Sequence, residues 1–239
     1  MRAELAAKPR AWVLGGSGAI GGAVVRALRA RQIDTVMTYR SRKEPALALA
    51  AETGARALEL QLSSRDALIP QLDAELALGR PSLIVHCVAQ SAALPLVELS
   101  EALWRDTLQA NAESALWLAQ WAAARELSPL DLVFTGGLDR SQSLPLPVHY
   151  AATQGMLAAM VMALGHELGP RGIRVNMVSL GVMDAGLSAT LTSERRTDYE
   201  HFSALRRVGR AEEAAQVITW LGLENSYIQG KVIAVNGGI

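Results

Sequence analysis

The stretch from Ala11 to Gly22, Ala-Trp-Val-Leu-Gly-Gly-Ser-Gly-Ala-Ile-Gly-Gly, restricts the fold of this chain more than any other. Residues 11–14 are an apolar run of buried-strand type, and Gly15, Gly16 and Gly18 follow as a tight turn. From residue 19 to 30 the pattern becomes helical, with Ile20, Val24, Val25 and Leu28 on one side. A strand, a glycine turn and a helix in that order point backbone N–H groups and a helix N-terminus at one spot, where a pyrophosphate is stabilised. Glycine suits the turn because a Cβ would obstruct both a positive φ and the approach of a phosphate.

The rest of the chain alternates in the same way. Strands are predicted at residues 33–39, 55–60, 82–86, 130–135, 173–179 and 231–235. Between them, helices are predicted at 43–53, 64–78, 100–127, 147–168 and 211–223. Ser63 or Ser64 is the expected N-cap of the third helix and Ser100 that of the fourth, which reads as one long helix. Pro147 falls near N1 of the fifth. Residues 181–205 are polar and irregular in pattern and read as a lid. Strictly alternating strands and helices imply an α/β, Rossmann-type, doubly wound parallel sheet of about seven strands in a single domain, residues 10–239, preceded by a short tail at residues 1–9. Right-handed crossovers then gather the loops after each strand into one cleft.

Composition narrows the function classes. The 239 residues carry 23 basic and 23 acidic side chains, a balance that offers no electrostatic footprint for nucleic acid or a membrane surface. The single cysteine, Cys87, excludes an internal disulfide framework and fits a reducing, cytoplasmic setting. No apolar run is long enough to span a bilayer, and the four histidines lack metal-ligand spacing. The second strand ends in Tyr39-Arg40-Ser41-Arg42. Two arginines and a serine, with no acid, suit a ribose 2′-phosphate and so NADP(H) in place of NAD(H). Apolar residues on more than one side of the two long helices, Trp117, Trp121, Met156 and Met160, call for a packing partner besides the sheet.

These motifs, in this order and spacing, resemble the short-chain dehydrogenase/reductase family, and within it the 3-oxoacyl-acyl-carrier-protein reductase-like branch. Residues 15–21 are similar to its glycine turn. Residues 169–176, Gly-Pro-Arg-Gly-Ile-Arg-Val-Asn, resemble its sixth-strand signature, and residues 207–210 and 227–238 its C-terminal segment. The resemblance implies a cofactor site on Gly15, Ser17, Gly18, Ile20, Gly21, Arg40, Ser41, Arg42, Gln61, Leu62, Cys87, Ala89, Tyr150, Gln154, Gly181 and Met183. It implies a catalytic set of Asn111, Tyr150 and Gln154, and it implies that the two long helices pair across a two-fold axis in a homodimer or homotetramer. Departures stand beside it. Leu14 replaces a threonine hydroxyl that braces the turn, Ala19 replaces a glycine, and Gln61 stands for an acid. The family's serine, thirteen residues before the tyrosine, falls on Gly137, and its lysine is Gln154.

Those last two substitutions alter the chemistry. A lysine charge about 4 Å from a phenol is worth about 4 kcal/mol at an effective dielectric of about 20, or roughly three pKa units. Without it, Tyr150 is expected to titrate near about 10. A neutral phenol is scarcely a base but still a proton donor, which predicts a reductase of a carbonyl substrate; the resemblance implies that this substrate is a small molecule, free or carrier-bound, in a specialised biosynthetic pathway. Thr135, Ser141 and Ser143 are candidates for the missing serine. His149 is expected at the surface, His86 as a hydrogen-bonding loop residue and Cys87 as inert. Two alternatives remain: a catalytically silent nucleotide-binding or partner subunit, and a non-redox dehydration or cyclisation in the same cleft.

Overall fold

The computed structural model describes residues 9–137 and 146–239. Seven parallel strands form one sheet in the order β3-β2-β1-β4-β5-β6-β7. They are β1 (Arg10–Leu14), β2 (Asp34–Tyr39), β3 (Arg56–Glu59), β4 (Leu83–His86), β5 (Leu130–Gly136), β6 (Ile173–Leu180) and β7 (Val232–Val235). The chain runs outward from β1 to β3 and then returns to pair β4 with β1, so the strand order reverses beside the glycine turn. A crevice at such a reversal is where ligands bind in open α/β sheets.

Two apolar layers hold helices on the two faces of the sheet. On one face, α1 (Ala19–Ala30), α2 (Lys43–Thr53) and α8 (Ala211–Leu223) bury Val24, Leu28, Leu49 and Ile218 against Val13, Val85 and Val178. On the other, α3 (Arg65–Leu78), α5 (Ser114–Ala124) and α6 (Val148–Leu168) bury Leu72, Leu118, Leu157 and Val161 against Trp12, Ile84 and Phe134. Almost every residue of β1, β4 and β5 is buried, as expected for central strands covered on both sides.

Three expectations need correction. The predicted long helix at 100–127 is divided. Ser100 does cap α4 (Glu101–Leu108), its Oγ accepting from the Leu103 N–H at 3.2 Å, but a π-helical turn, Gln109–Glu113, separates α4 from α5. Side chains of the turn bond to neighbouring elements, and one extra residue per turn leaves the apolar pattern on either side intact. The 181–205 segment is not irregular: a 3₁₀ turn, Gly186–Thr190, leads to α7 (Ser193–Phe202), capped by Thr192. The helix is polar nearly all round and so carries no apolar stripe; Tyr199 is its one buried residue. Trp121, expected to be surplus apolar surface, is 2% exposed. It stacks on Trp12 with ring centroids 5.6 Å apart, and its Nε1–H donates to Asp73 at 2.8 Å.

Candidate active site

The glycine turn joins β1 to α1. Gly15 has φ +76°, and a Cβ there would lie 2.8 Å from the Cys87 carbonyl oxygen, so the loop after β4 closes directly on the turn. Gly18 is the N-cap of α1 and carries no side chain to bond the helix's first N–H groups. The hydroxyl lost at Leu14 is supplied from the next strand: the Gly15 N–H donates to Thr38 Oγ1 at 3.1 Å. Sequence reasoning missed Thr38. Its signal is the parallel register, Val13 opposite Met37, which puts Thr38 level with Leu14. Arg40, Ser41 and Arg42 follow β2, all exposed, and neither guanidinium has a hydrogen bond or ion pair among the described residues.

The other predicted cofactor positions follow β3, β4 and β6. Cys87 is tied to β1 by its N–H to the Leu14 carbonyl at 2.9 Å, and burial pushes its thiol up to about 12, which leaves it inert at neutral pH. Ala89 lies two residues on in the same loop. Gln61 is exposed and bonds to Glu59 and Gln71, whereas Leu62 is buried and its carbonyl accepts from Gln109 Nε2 in the π turn. Gly181 bonds to the end of β7 through its N–H to Val235 O at 2.9 Å, with Tyr199 packed over it. Met183 pairs with Gly209 and is buried. The segment then reaches back to α1: a Cβ on Gly186 would lie 3.5 Å from the Ala19 methyl.

A second group converges at the C-terminal end of β5. Tyr150 and Gln154 are one turn apart on α6 and share a face. The Gln154 Oε1 accepts from the Gly137 N–H at 2.9 Å, and the side chain is 1% exposed. This oxygen of the residue at the family's lysine position is therefore engaged by the backbone of the residue at its serine position. Tyr150 leans into the same place. A Cβ built on Gly137 would be 2.5 Å from the Tyr150 hydroxyl and 3.3–3.4 Å from its ring. Burial raises the phenol to about 12, further from neutrality than the sequence-based expectation.

Asn111 sits in the π turn, 1% exposed, with its amide fully engaged. Oδ1 accepts from the Gln90 N–H at 2.7 Å; Nδ2 donates to Gln90 O at 2.9 Å and to Thr153 Oγ1 at 3.0 Å. Thr153 Oγ1 in turn donates to the Tyr150 carbonyl at 2.8 Å. Asn111 thus fixes backbone, joining the loop after β4 to the first turn of α6.

His86 closes β4 and is buried. Its Nε2 lies 2.8 Å from Ser114 Oγ, which donates to Ala110 O at 2.8 Å. Because the serine proton goes to that carbonyl, Nε2 must carry the imidazole hydrogen, and burial lowers the ring to about 4. His149 overturns its expectation: it is 1% exposed, and its Nε2 accepts from the Ala92 N–H at 3.3 Å, because the loop after β4 passes over the start of α6. Of the candidates for the missing serine, Thr135 donates to His86 O at 3.2 Å and is 7% exposed. Ser141 and Ser143 lie outside the described residues.

A family model described as enoyl-(acyl carrier protein) reductase matches residues 16–239. The chain belongs to the short-chain dehydrogenase/reductase family. Among curated proteins it is 28% identical to the cyclic-di-GMP-binding biofilm dispersal mediator protein of Escherichia coli (strain K12), over 94% of each chain. It is 27% identical to the 3-oxoacyl-[acyl-carrier-protein] reductase MabA of Mycobacterium tuberculosis, over 95% of this chain and 91% of that one. Among solved structures, BdcA in complex with NADPH superposes with a TM-score of 0.88 at 27% identity, covering 97% of this chain and 94% of that one. Among the described residues, no helix is long and apolar enough to cross a membrane, and no cluster of three or more His, Cys, Asp or Glu could hold a metal ion.

Proposed function

We propose that this protein is an NADPH-dependent reductase of a small-molecule carbonyl compound, free or carrier-bound, working in the cytoplasm with Tyr150 as proton donor. The observation that carries the reading is the Tyr150 hydroxyl at the end of β5, burial holding it neutral up to about pH 12 with Gln154 where the family has a cation. The residues fit the cofactor. The Gly15 turn closes on Cys87 with no room for a Cβ, and α1 starts without a side-chain cap. Arg40 and Arg42 are cations after β2 with no partner among the described residues, suited to a 2′-phosphate. Bound there, NADPH supplies a hydride. The chain's own part is to donate a proton from Tyr150 Oη to the carbonyl oxygen, while Asn111 and Thr153 hold the first turn of α6 and Gln154 fixes the Gly137 backbone. A neutral phenol serves this direction and opposes the reverse, which requires a phenolate.

Fluorescence titration with NADPH and NADH is the first test, with NADPH expected to bind more tightly; failure of both to bind sinks the reading. Turnover is then followed by NADPH absorbance over ketones and 3-oxoacyl thioesters. Tyr150→Phe is expected to lower it by about 10²–10³-fold with NADPH affinity kept, and full turnover in that variant would place the proton donor elsewhere.

A second reading, a nucleotide-binding protein without redox turnover, draws on Gln154, since a charge next to the phenol is what Gln154 lacks. NADPH binding without turnover of any carbonyl would favour it. Exposed apolar residues on α6, Met156 at 39% and Met162 at 51%, support self-association as a homodimer or homotetramer.

A further inference from the structure

Residues 184–209 leave the end of β6 and return to the same place. The excursion is closed at its neck: Met183 pairs with Gly209, the Gly209 N–H donates to Val182 O at 2.9 Å, and the Asp184 N–H donates to Gly209 O at 2.8 Å. The Ala211 N–H, at the start of α8, donates to Asp184 Oδ1 at 3.2 Å, and Arg207 forks onto Glu213 at 2.7 and 2.8 Å. Beyond the neck the attachment is thin. α7 buries only Tyr199, which packs with Val182, Leu191, Val208 and Ile239 in a small apolar cluster apart from the two layers on the sheet. A segment with so little apolar burial opens locally at a free energy well below that of global unfolding. Both ends of it also carry a residue in the left-handed region, Gly186 at φ +78° and Arg206 at φ +54°. Arginine is disfavoured there, and a few residues at element ends are what absorbs the rotation of a hinge.

What holds the segment down is a strap of bare backbone after β7. Tyr199 Oη donates to Asn236 O at 2.7 Å, Ser203 Oγ donates to Gly237 O at 3.1 Å, and the Leu205 N–H donates to the same carbonyl at 3.1 Å. Gly237 and Gly238 have φ +74° and +85°, and a Cβ on Gly238 would lie 2.9 Å from the Ala204 methyl, so two glycines let the strap lie flat against the end of α7. The segment also spans the cleft: Gly186 faces Ala19 at the start of α1, and the far end docks beside β7. We propose that residues 187–205 open and close as one lid about Gly186 and Arg206, and that Tyr199 and Ser203 are its catch on the carbonyls of residues 236 and 237. The neck stays closed in both states. The lid's role as a gate for the carbonyl compound rests on the reductase reading; its motion and its catch do not.

The experiment is hydrogen exchange read by mass spectrometry on the full chain, for wild type, Tyr199→Phe and Ser203→Ala. In the wild type, α7 is expected to exchange as a unit and at least about a hundredfold faster than β5. Tyr199→Phe keeps the ring in its cluster and removes the hydroxyl, so α7 exchange is expected to rise about tenfold, with the neck peptides around Asp184 and Gly209 unchanged. Ser203→Ala is expected to act in the same direction without touching the buried cluster, which keeps the test decisive if the phenylalanine variant folds poorly. Exchange of α7 at the rate of β5, a rise shared equally by neck and lid, or no rise in either variant would overturn the proposal. With NADPH and a carbonyl compound that the wild type reduces, either variant is expected to raise KM about threefold or more with kcat within about twofold. An unmoved KM alongside faster α7 exchange would overturn the gating role. If the wild type turns over no carbonyl, the reductase reading fails, while the exchange rates still decide the catch.

Discussion

Arg40 and Arg42 stand exposed after β2 with no partner among the described residues, and each can be altered without touching the core. A charge-assisted hydrogen bond to a phosphate is worth about 1.5 kcal/mol or more. Arg40→Ala is therefore expected to weaken NADPH binding roughly tenfold and leave NADH binding within twofold, as read by isothermal titration calorimetry. A loss shared equally by the two cofactors would place the 2′-phosphate elsewhere. These residues were legible in sequence because a strand end followed by arginine and no acid is a local signal. So were Gly137 and Gln154, which fall out of counting from Tyr150. Their contact was not legible. Counting gives position along β5 and α6, whereas the 2.9 Å bond between them depends on how closely one element packs on the other.

At the scale of elements, the π turn between α4 and α5 does most to shape the site. Gln109, Asn111 and Ser114 from it and its flank reach Leu62, Gln90, Thr153 and His86, so one turn of helix holds β4, α6 and the loop after β3. The apolar period is unbroken across it, which is why the sequence reads one long helix. Burial of His86 beside it sets a pH dependence. The buried ring titrates at about 4 against an ordinary value of 6.5. As pH falls below 6.5 the unfolded chain takes up a proton that the folded chain refuses, so stability is present above 6.5 and declines until about pH 4. The loss attributable to this ring approaches about 3 kcal/mol. Urea unfolding at pH 7.5 and 4.5 should show it, and His86→Gln, which can still donate to Ser114 Oγ, should lack that part of the decline. An identical pH dependence in the variant would assign the effect to other groups.

Over the whole molecule, a parallel sheet of seven strands covered by helices on both faces followed from the alternation of strands and helices. Long-range coverage did not. Trp121 finds Trp12 across 109 positions of sequence, and no pattern along the chain announces that pair. With Trp121 covered, the large apolar side chains left exposed on α6 are Val148, Met156 and Met162. Sedimentation is expected to give a dimer or tetramer at micromolar concentration, with Met156→Glu plus Met162→Glu shifting it toward monomer; a wild-type monomer would show that this face needs no second copy. One feature of the turn also bears on how such a protein can change. Thr38, which braces Gly15, is the last but one residue of β2, and Arg40 follows directly after the strand. The part proposed to grip a nucleotide and the part proposed to choose between nucleotides therefore meet at the end of one strand. Replacing the loop after β2 to alter cofactor choice will pull on the glycine turn as well, and a lineage or an engineer that exchanges one preference for the other must restore that brace in the same step.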